Sequence, residues 1–223
     1  MKAPIRGFNS AAYPKGHVTQ YFGENPVLYG RVVCKQDGDN RLCLQGHNGI
    51  DIVAPWGTPI FAVEDGFVLN HRDSVTGFGK HIKVINFHTG HEWVYGHLSR
   101  IDVDLEQEVK AGDQIGLMGN TGFVISGSTP YWEHNPYAGT HLHLGLRLID
   151  HYKKGDINTI YHCGMRAHVK DWRNGFFGAV DWMPLWKVDV HAIKPLQLTV
   201  VSLANQVILL LQKLIAVKKN GKL

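Results

Sequence analysis

Histidine and aspartate are the residues to begin with. Fourteen histidines among 223 residues is a high count, and imidazole is both a metal ligand and a proton carrier near neutral pH. Three groups stand apart. His47-Asn-Gly-Ile-Asp51 places an imidazole and a carboxylate four residues apart. On a flat strand that spacing is about 13 Å, too far for one ion bound at roughly 2.0–2.2 Å. The chain must bend between them, and Gly49 permits a bend. Asp51 falls within an apolar run, Ile50 to Val53, where an unpaired carboxylate is costly to bury. His141-Leu-His143 leads into Leu144-Gly-Leu146-Arg-Leu148, an alternation that reads as strand and projects both imidazoles from one face, about 6.6 Å apart. One of them can ligate a metal while the other stands behind it or meets a substrate. His97 closes a third group, Tyr95-Gly-His97, at a strand end. Each group also has a plain structural reading: a carboxylate paired with a proton, two partly exposed strand histidines, a histidine at a strand end.

Taken together, the groups supply two histidines and one aspartate as ligands, with two further histidines nearby. That is the composition of a catalytic zinc site, with three protein ligands and an open position for water, whereas a closed structural site more often uses cysteine. The His-Glu-x-x-His helix motif is absent, which excludes the thermolysin arrangement. No Gly-x-Ser-x-Gly elbow is present either. Cys163, near His162 and His168, lacks the strand–helix context of a thiol nucleophile.

The elements that must position these residues are short strands. Pro59 to Val63, Gly66 to His71, His81 to Phe87 and Glu92 to His97 are rich in Val, Ile, Phe and Tyr. Asp65-Gly66, Phe78-Gly79 and Thr89-Gly90 punctuate them as turns. Helical periodicity is absent from His17 to Ile149, so the expected fold is mainly β, an antiparallel sheet with long loops. Thr121 to Thr140 reads as one long loop, a length more often functional than accidental, with Trp132 and Tyr137 as candidate groove-lining residues or exposed loop residues. The aromatic-rich stretch from Ile157 to Trp186 is expected to wrap onto the same domain. Cys34 and Cys43 flank a hairpin turn signal and read either as a cross-strand disulfide or as two free thiols.

At about Val188 the sequence changes character. Val200, Leu203, Val207, Leu210, Leu214 and Val217 recur at three and four residues, predicting an amphipathic helix over 196–217. Its readings are docking or self-association, contact with a membrane surface, or a span, the last opposed by Lys213 and several amides. The division expected is a domain at 1–187 and a C-terminal helix at 188–223. The net charge of +4 is mildly basic and suits an anionic polymer, while the lack of a dense Lys/Arg run excludes nucleic acid. The N-terminus shows no apolar segment of a secretory signal.

These motifs together resemble the metallopeptidases of family M23, the lysostaphin and LytM-like enzymes. Gly46 to Val68 looks like the family's first zinc segment, Tyr95 to Arg100 its middle histidine segment, Val109 to Gly122 the stretch before the last motif, and Gly139 to Arg147 that motif itself. Asn174 to Pro184 is similar to a closing segment, with Trp182 where proline is usual. The resemblance covers roughly His17 to Trp186. It implies a zinc endopeptidase acting on the peptide cross-links of bacterial peptidoglycan. One zinc ion per chain would be held by His47, Asp51 and His143, with His97 and His141 as the catalytic histidines. It implies action at the cell wall, outside the cytoplasm; the lack of a signal segment then leads us to expect a phage-borne protein or one exported by another route. The rival reading is a non-catalytic wall-binding or regulatory module of the same fold. The N-terminal region is too short for an inhibitory pro-segment, so an open site is expected.

Overall fold

The computed structural model describes residues 1–8, 17–72, 76–126, 129–130, 137–151, 159–162 and 165–187. The chain divides into two compact units, Met1–Met183 and Pro184–Leu223. Of the second only residues 184–187 are described, so the helix expected over 196–217 lies outside the described residues, as do Trp132 and Cys163.

The first unit is built on strands. They are β1 (Val18–Gln20), β2 (Cys34–Asp37), β3 (Asn40–Cys43), β4 (Ile50–Ile52), β5 (Pro59–Phe61), β6 (Gly66–Arg72), β7 (Lys80–Asn86) and β8 (His91–Ile101). There follow β9 (Glu108–Val109), β10 (Gln114–Met118), β11 (Ile125–Ser126), β12 (Thr129–Pro130), β13 (Leu142–His151), β14 (Thr159–His162), β15 (Met165–Val169) and β16 (Ala179–Val180). One short helix accompanies them, α1 (Pro26–Val32), and a second, α2 (Met183–Lys187), begins at the last residue of this unit. The main sheet runs β1-β4-β13-β8-β7-β6-β9, every pairing antiparallel. The strands read from the sequence are present where Val, Ile, Phe and Tyr concentrate. The stretch after Ile157 does join the same sheet: β15 and β16 both pair with β13.

Two expectations are corrected. Helix α1 lies in a range where no helical period is visible. Seven residues make fewer than two turns, too few to display a period, and Pro26 at the first turn supplies a helix-compatible φ. The Thr121–Thr140 stretch is not wholly irregular, since β11 and β12 pair within it.

Sheet alternation sorts the side chains of the central strands onto two faces. One face carries Ile82 and Val84, Trp93 and Tyr95, Leu142, Leu144 and Leu146, all with 2% exposure or less, and this is the core. Tyr95 is satisfied there, its hydroxyl accepting a bond from Val63 N–H at 2.9 Å. Trp182 packs against Trp93, ring centroids 5.9 Å apart, and its indole N–H donates to the Leu144 carbonyl at 2.8 Å. The other face carries Asp51, His143, Gly145, Arg147, Glu92, Val94, Gly96 and Lys83, of which Asp51, Lys83, His143 and Arg147 line a cleft. Cys34 and Cys43 face each other across β2–β3 and form a disulfide.

Candidate metal centre and cleft

Asp51 and His143 meet because β4 and β13 are adjacent and the two residues stand opposite each other in the register. His47 arrives from the bend before β4. Its N–H donates to Glu24 O and its carbonyl accepts from Gly23 N–H, both at 2.8 Å, so the stretch before α1 fixes the bend. The outcome is a triangle of donor atoms. His47 Nε2 lies 2.9 Å from His143 Nδ1, and each lies 3.1 Å from Asp51 Oδ1. A tetrahedral ion bound at about 2.0–2.1 Å would set its ligand atoms about 3.3–3.4 Å apart. The edges observed fall within a few tenths of an ångström of that.

The protons agree with a cation site. His47 Nδ1 faces the Tyr21 carbonyl at 3.3 Å, which requires N–H on Nδ1 and leaves the Nε2 lone pair pointing into the triangle when the ring is neutral. His143 Nδ1 has two acceptors before it and one proton at most to offer, while its buried Nε2 has no hydrogen-bond partner. Three acceptor atoms converging on a buried point repel one another unless a positive charge joins them. His47, Asp51 and His143 are all buried, and their ligand atoms form a cluster able to hold a metal ion.

Burial raises the Asp51 carboxyl, but its interactions with the neighbouring imidazoles, His141 first and then His143 and His47, outweigh it and hold it well below the usual carboxylate range. Burial, against the opposing bond to Asp51, pulls His143 down to about 4, so it is neutral at pH 7, as a ligand must be.

His97 and His141 stand beside the triangle with ring centroids 4.6 Å apart. His141 Nε2 is 3.6 Å from Asp51 Oδ2. His97 Nδ1 faces the Thr121 carbonyl and His141 Nδ1 the Gly139 carbonyl, each at 2.7 Å. Each ring, when neutral, therefore carries its proton on Nδ1 and keeps an Nε2 lone pair. Burial first, then the electrostatic coupling to His141 and His143, holds His97 well below the usual histidine value. His97 reaches the cleft side through its backbone. Alternation from Gly96 would turn it away, but its φ of 63° is left-handed, a conformation costing roughly 1–2 kcal/mol for a residue with a Cβ. The bond from its N–H to Phe78 O, 2.7 Å, secures it.

Other contributors carry no motif. Phe78 stacks on His143, centroids 4.9 Å apart and planes at 30°. Tyr29, on α1, stacks on His47 at 5.4 Å. Gly49 stands against the edge of His143, where its lack of a side chain, not a special φ, is what the site requires. Phe78-Gly79 reads from sequence only as a turn. The carbonyls that orient the imidazoles belong to the backbone and have no residue signature. The whole assembly opens into a cleft of about 1240 Å³. Trp56 and Tyr137 stand at its rim, rings 5.4 Å apart, with Tyr137 61% exposed.

Residues 45–159, just over half of the chain, match the model of peptidase family M23, and the chain belongs to that family. It is 36% identical over 100 residues to peptidoglycan DD-endopeptidase ShyA of Vibrio cholerae, covering 45% of this chain and 20% of that protein. It is 31% identical over 121 residues to murein hydrolase activator NlpD of Escherichia coli, covering 54% of this chain and 27% of that one. Among solved structures, the catalytic domain of lysostaphin from Staphylococcus simulans is 25% identical, with 64% of this chain and 80% of that chain covered at a TM-score of 0.43. The chain spans only 13–20% of the length of the first curated relatives it matches.

Proposed function

We propose that the protein is a zinc-dependent endopeptidase that hydrolyses peptide cross-links of peptidoglycan at the cell wall. The observation that carries this reading is the triangle of His47 Nε2, Asp51 Oδ1 and His143 Nδ1, with His97 and His141 at its side. Two imidazoles and a carboxylate make a donor set suited to zinc, and three ligands leave a position open. Zinc, when bound, acts as a Lewis acid toward a peptide carbonyl and makes water more acidic.

The chain's own residues do the rest. His141, the more accessible of the pair, holds an Nε2 lone pair where a water attacking a bound peptide loses its proton. Its Nε2–H can then donate to the developing oxyanion or to the leaving amine. His97, kept neutral by burial, presents a second Nε2 acceptor that orients the water or takes the proton in turn. The carbonyls of Thr121 and Gly139 fix both tautomers, so neither ring must reorient during the reaction.

The similarity to a murein hydrolase activator favours a second reading, a regulatory module that binds wall peptides without turnover. The presence of His47, Asp51, His97, His141 and His143 together supports the enzyme. Digestion of purified cross-linked peptidoglycan separates the two. New amino groups released in a chelator-sensitive manner support the peptidase. Tight binding with no release, across glycine-bridged and directly cross-linked walls, supports the module.

A further inference from the structure

The cleft extends beyond the metal triangle along β13. His143, Gly145 and Arg147 share one face of that strand, and Arg147 lies four residues, about 13 Å, from His143. Opposite them β8 presents Gly96, Val94 and Glu92, and β7 presents Lys83 beside Val94. At this far end three cations gather around one carboxylate. Glu92 Oε1 accepts a bond from Arg147 Nη1 at 2.9 Å and lies 3.7 Å from Lys83 Nζ. Lys35, on the β2–β3 hairpin, brings the third: its Nζ is 4.9 Å from the Trp172 ring centre and 4.8 Å from that of Phe177. The Arg147 guanidinium lies 5.7 Å from the same Trp172 ring.

Lys35, Lys83 and Arg147 all line the cleft, while Glu92 sits beneath them with 1% exposure. Among the described residues, three cationic side chains and one carboxylate meet at this end of the cleft wall. The aromatic faces hold the Lys35 ammonium in place, though they carry no net charge. Lys35 is an exposed residue, yet desolvation first, then the charges of Arg147 and Lys83, pull its pKa down to about 8. A carboxylate entering the cleft here meets cationic groups from three strands, and charge-assisted hydrogen bonds to such groups are the strong ones.

The geometry points to this end of the cleft as a subsite for a carboxylate of the bound peptide, about 13 Å from the metal triangle. The carboxylate is either the α-carboxylate of a chain end or an acidic side chain, about four extended residues from the bond to be cut. Lys35, Lys83 and Arg147 are then specificity-determining residues, acting on which peptide is held and not on the bond broken. The proposal rests on the peptidase reading of the cleft.

The test is equilibrium binding by calorimetry at pH 7 and low salt, using the full chain. One probe pair is pentaglycine as the free acid and as the amide. A second is an end-amidated Ala-Glu-Lys-Ala-Ala and its Glu-to-Gln counterpart. In at least one pair the acid is expected to bind about tenfold tighter, the worth of one charge-assisted hydrogen bond. The responsive pair tells a chain end from a side chain. Lys35→Met and Lys83→Met should each cut that preference to about twofold or less while the neutral probe binds as before, with melting curves confirming the fold. Equal binding of acid and neutral probes to the wild type overturns the proposal. So does a preference that survives both substitutions, because the carboxylate then sits elsewhere, at the metal for example. Peptidoglycan cleavage measured on the same samples keeps the two readings separate. Cleavage without an acid preference removes the subsite and leaves the peptidase, and a Lys35-dependent preference without cleavage does the reverse.

Discussion

Gly49 lies so close to His143 that a Cβ built on it would stand 2.5 Å from Cε1 and 2.6 Å from Nε2 of the imidazole. The ring cannot retreat freely, because Phe78 is stacked on it and Asp51 and His47 stand within 3.1 Å of its Nδ1. On the backbone side the same Cβ would meet the Leu144 carbonyl at 2.9 Å. Gly49→Ala should therefore displace the ring or part β4 from β13, costing about 1–3 kcal/mol of stability, as overpacking does. Zinc content should fall with it. Metal analysis and a melting curve on one preparation check this, and full zinc at an unchanged melting temperature would refute it.

His141 and His143 are two residues apart yet should respond oppositely. His143→Ala removes an atom of the donor triangle and should abolish zinc binding. His141→Ala leaves the triangle whole and should keep zinc while turnover falls about 10²–10⁴-fold, the usual range for a general acid–base group. Metal loss in the His141 variant with retention in the His143 variant would reverse these roles.

Glu92 gives the fold a pH dependence. Burial raises its carboxyl, but Lys83 and Arg147 outweigh burial and set it below the ordinary glutamate value. A depressed folded-state pKa contributes stability that is complete above the unfolded value of about 4.3 and is lost as pH falls through the folded value. Glu92→Gln should lower stability at pH 7 by about 3–5 kcal/mol, since Arg147 is left buried without its counter-charge. The gap from wild type should narrow below about pH 4. Urea unfolding at pH 7 and in mild acid measures it, and a constant gap would contradict the assignment.

Trp182 links the core to the site, because the carbonyl it satisfies, Leu144 O, belongs to the residue after His143. Trp182→Phe keeps most of the ring but leaves that buried carbonyl without its donor, for an expected loss of about 1–3 kcal/mol. Thermal unfolding reads the loss. An unchanged midpoint would mean that the hydrogen bond is replaced.

The parts of this site that the sequence displays are those whose chemistry is carried by side-chain type and spacing. His47 and Asp51 announce a bend because a strand cannot bring them together, and the bend is there. His141 and His143 announce one face of a strand, and both reach Asp51. What depends on register or on backbone conformation is not displayed. The contact of Glu92 with Arg147 follows only from the alignment of β8 against β13, which neither residue encodes. The left-handed turn at His97 is carried by a residue type with no strong preference for it. Helix α1 is started by Pro26 behind an Asn25 that makes no side-chain cap bond, so neither its entry nor its period can be read.

The central claim is that His47, Asp51 and His143 together hold a zinc ion on which peptide hydrolysis depends. The most direct measurement is zinc per chain in the wild type and in His143→Ala, with peptidoglycan cleavage assayed on the same samples. About one zinc per wild-type chain, none in the variant, and cleavage only where zinc is present is the predicted result. A variant that keeps its zinc, or a zinc-free wild type that cleaves at full rate, would contradict the account.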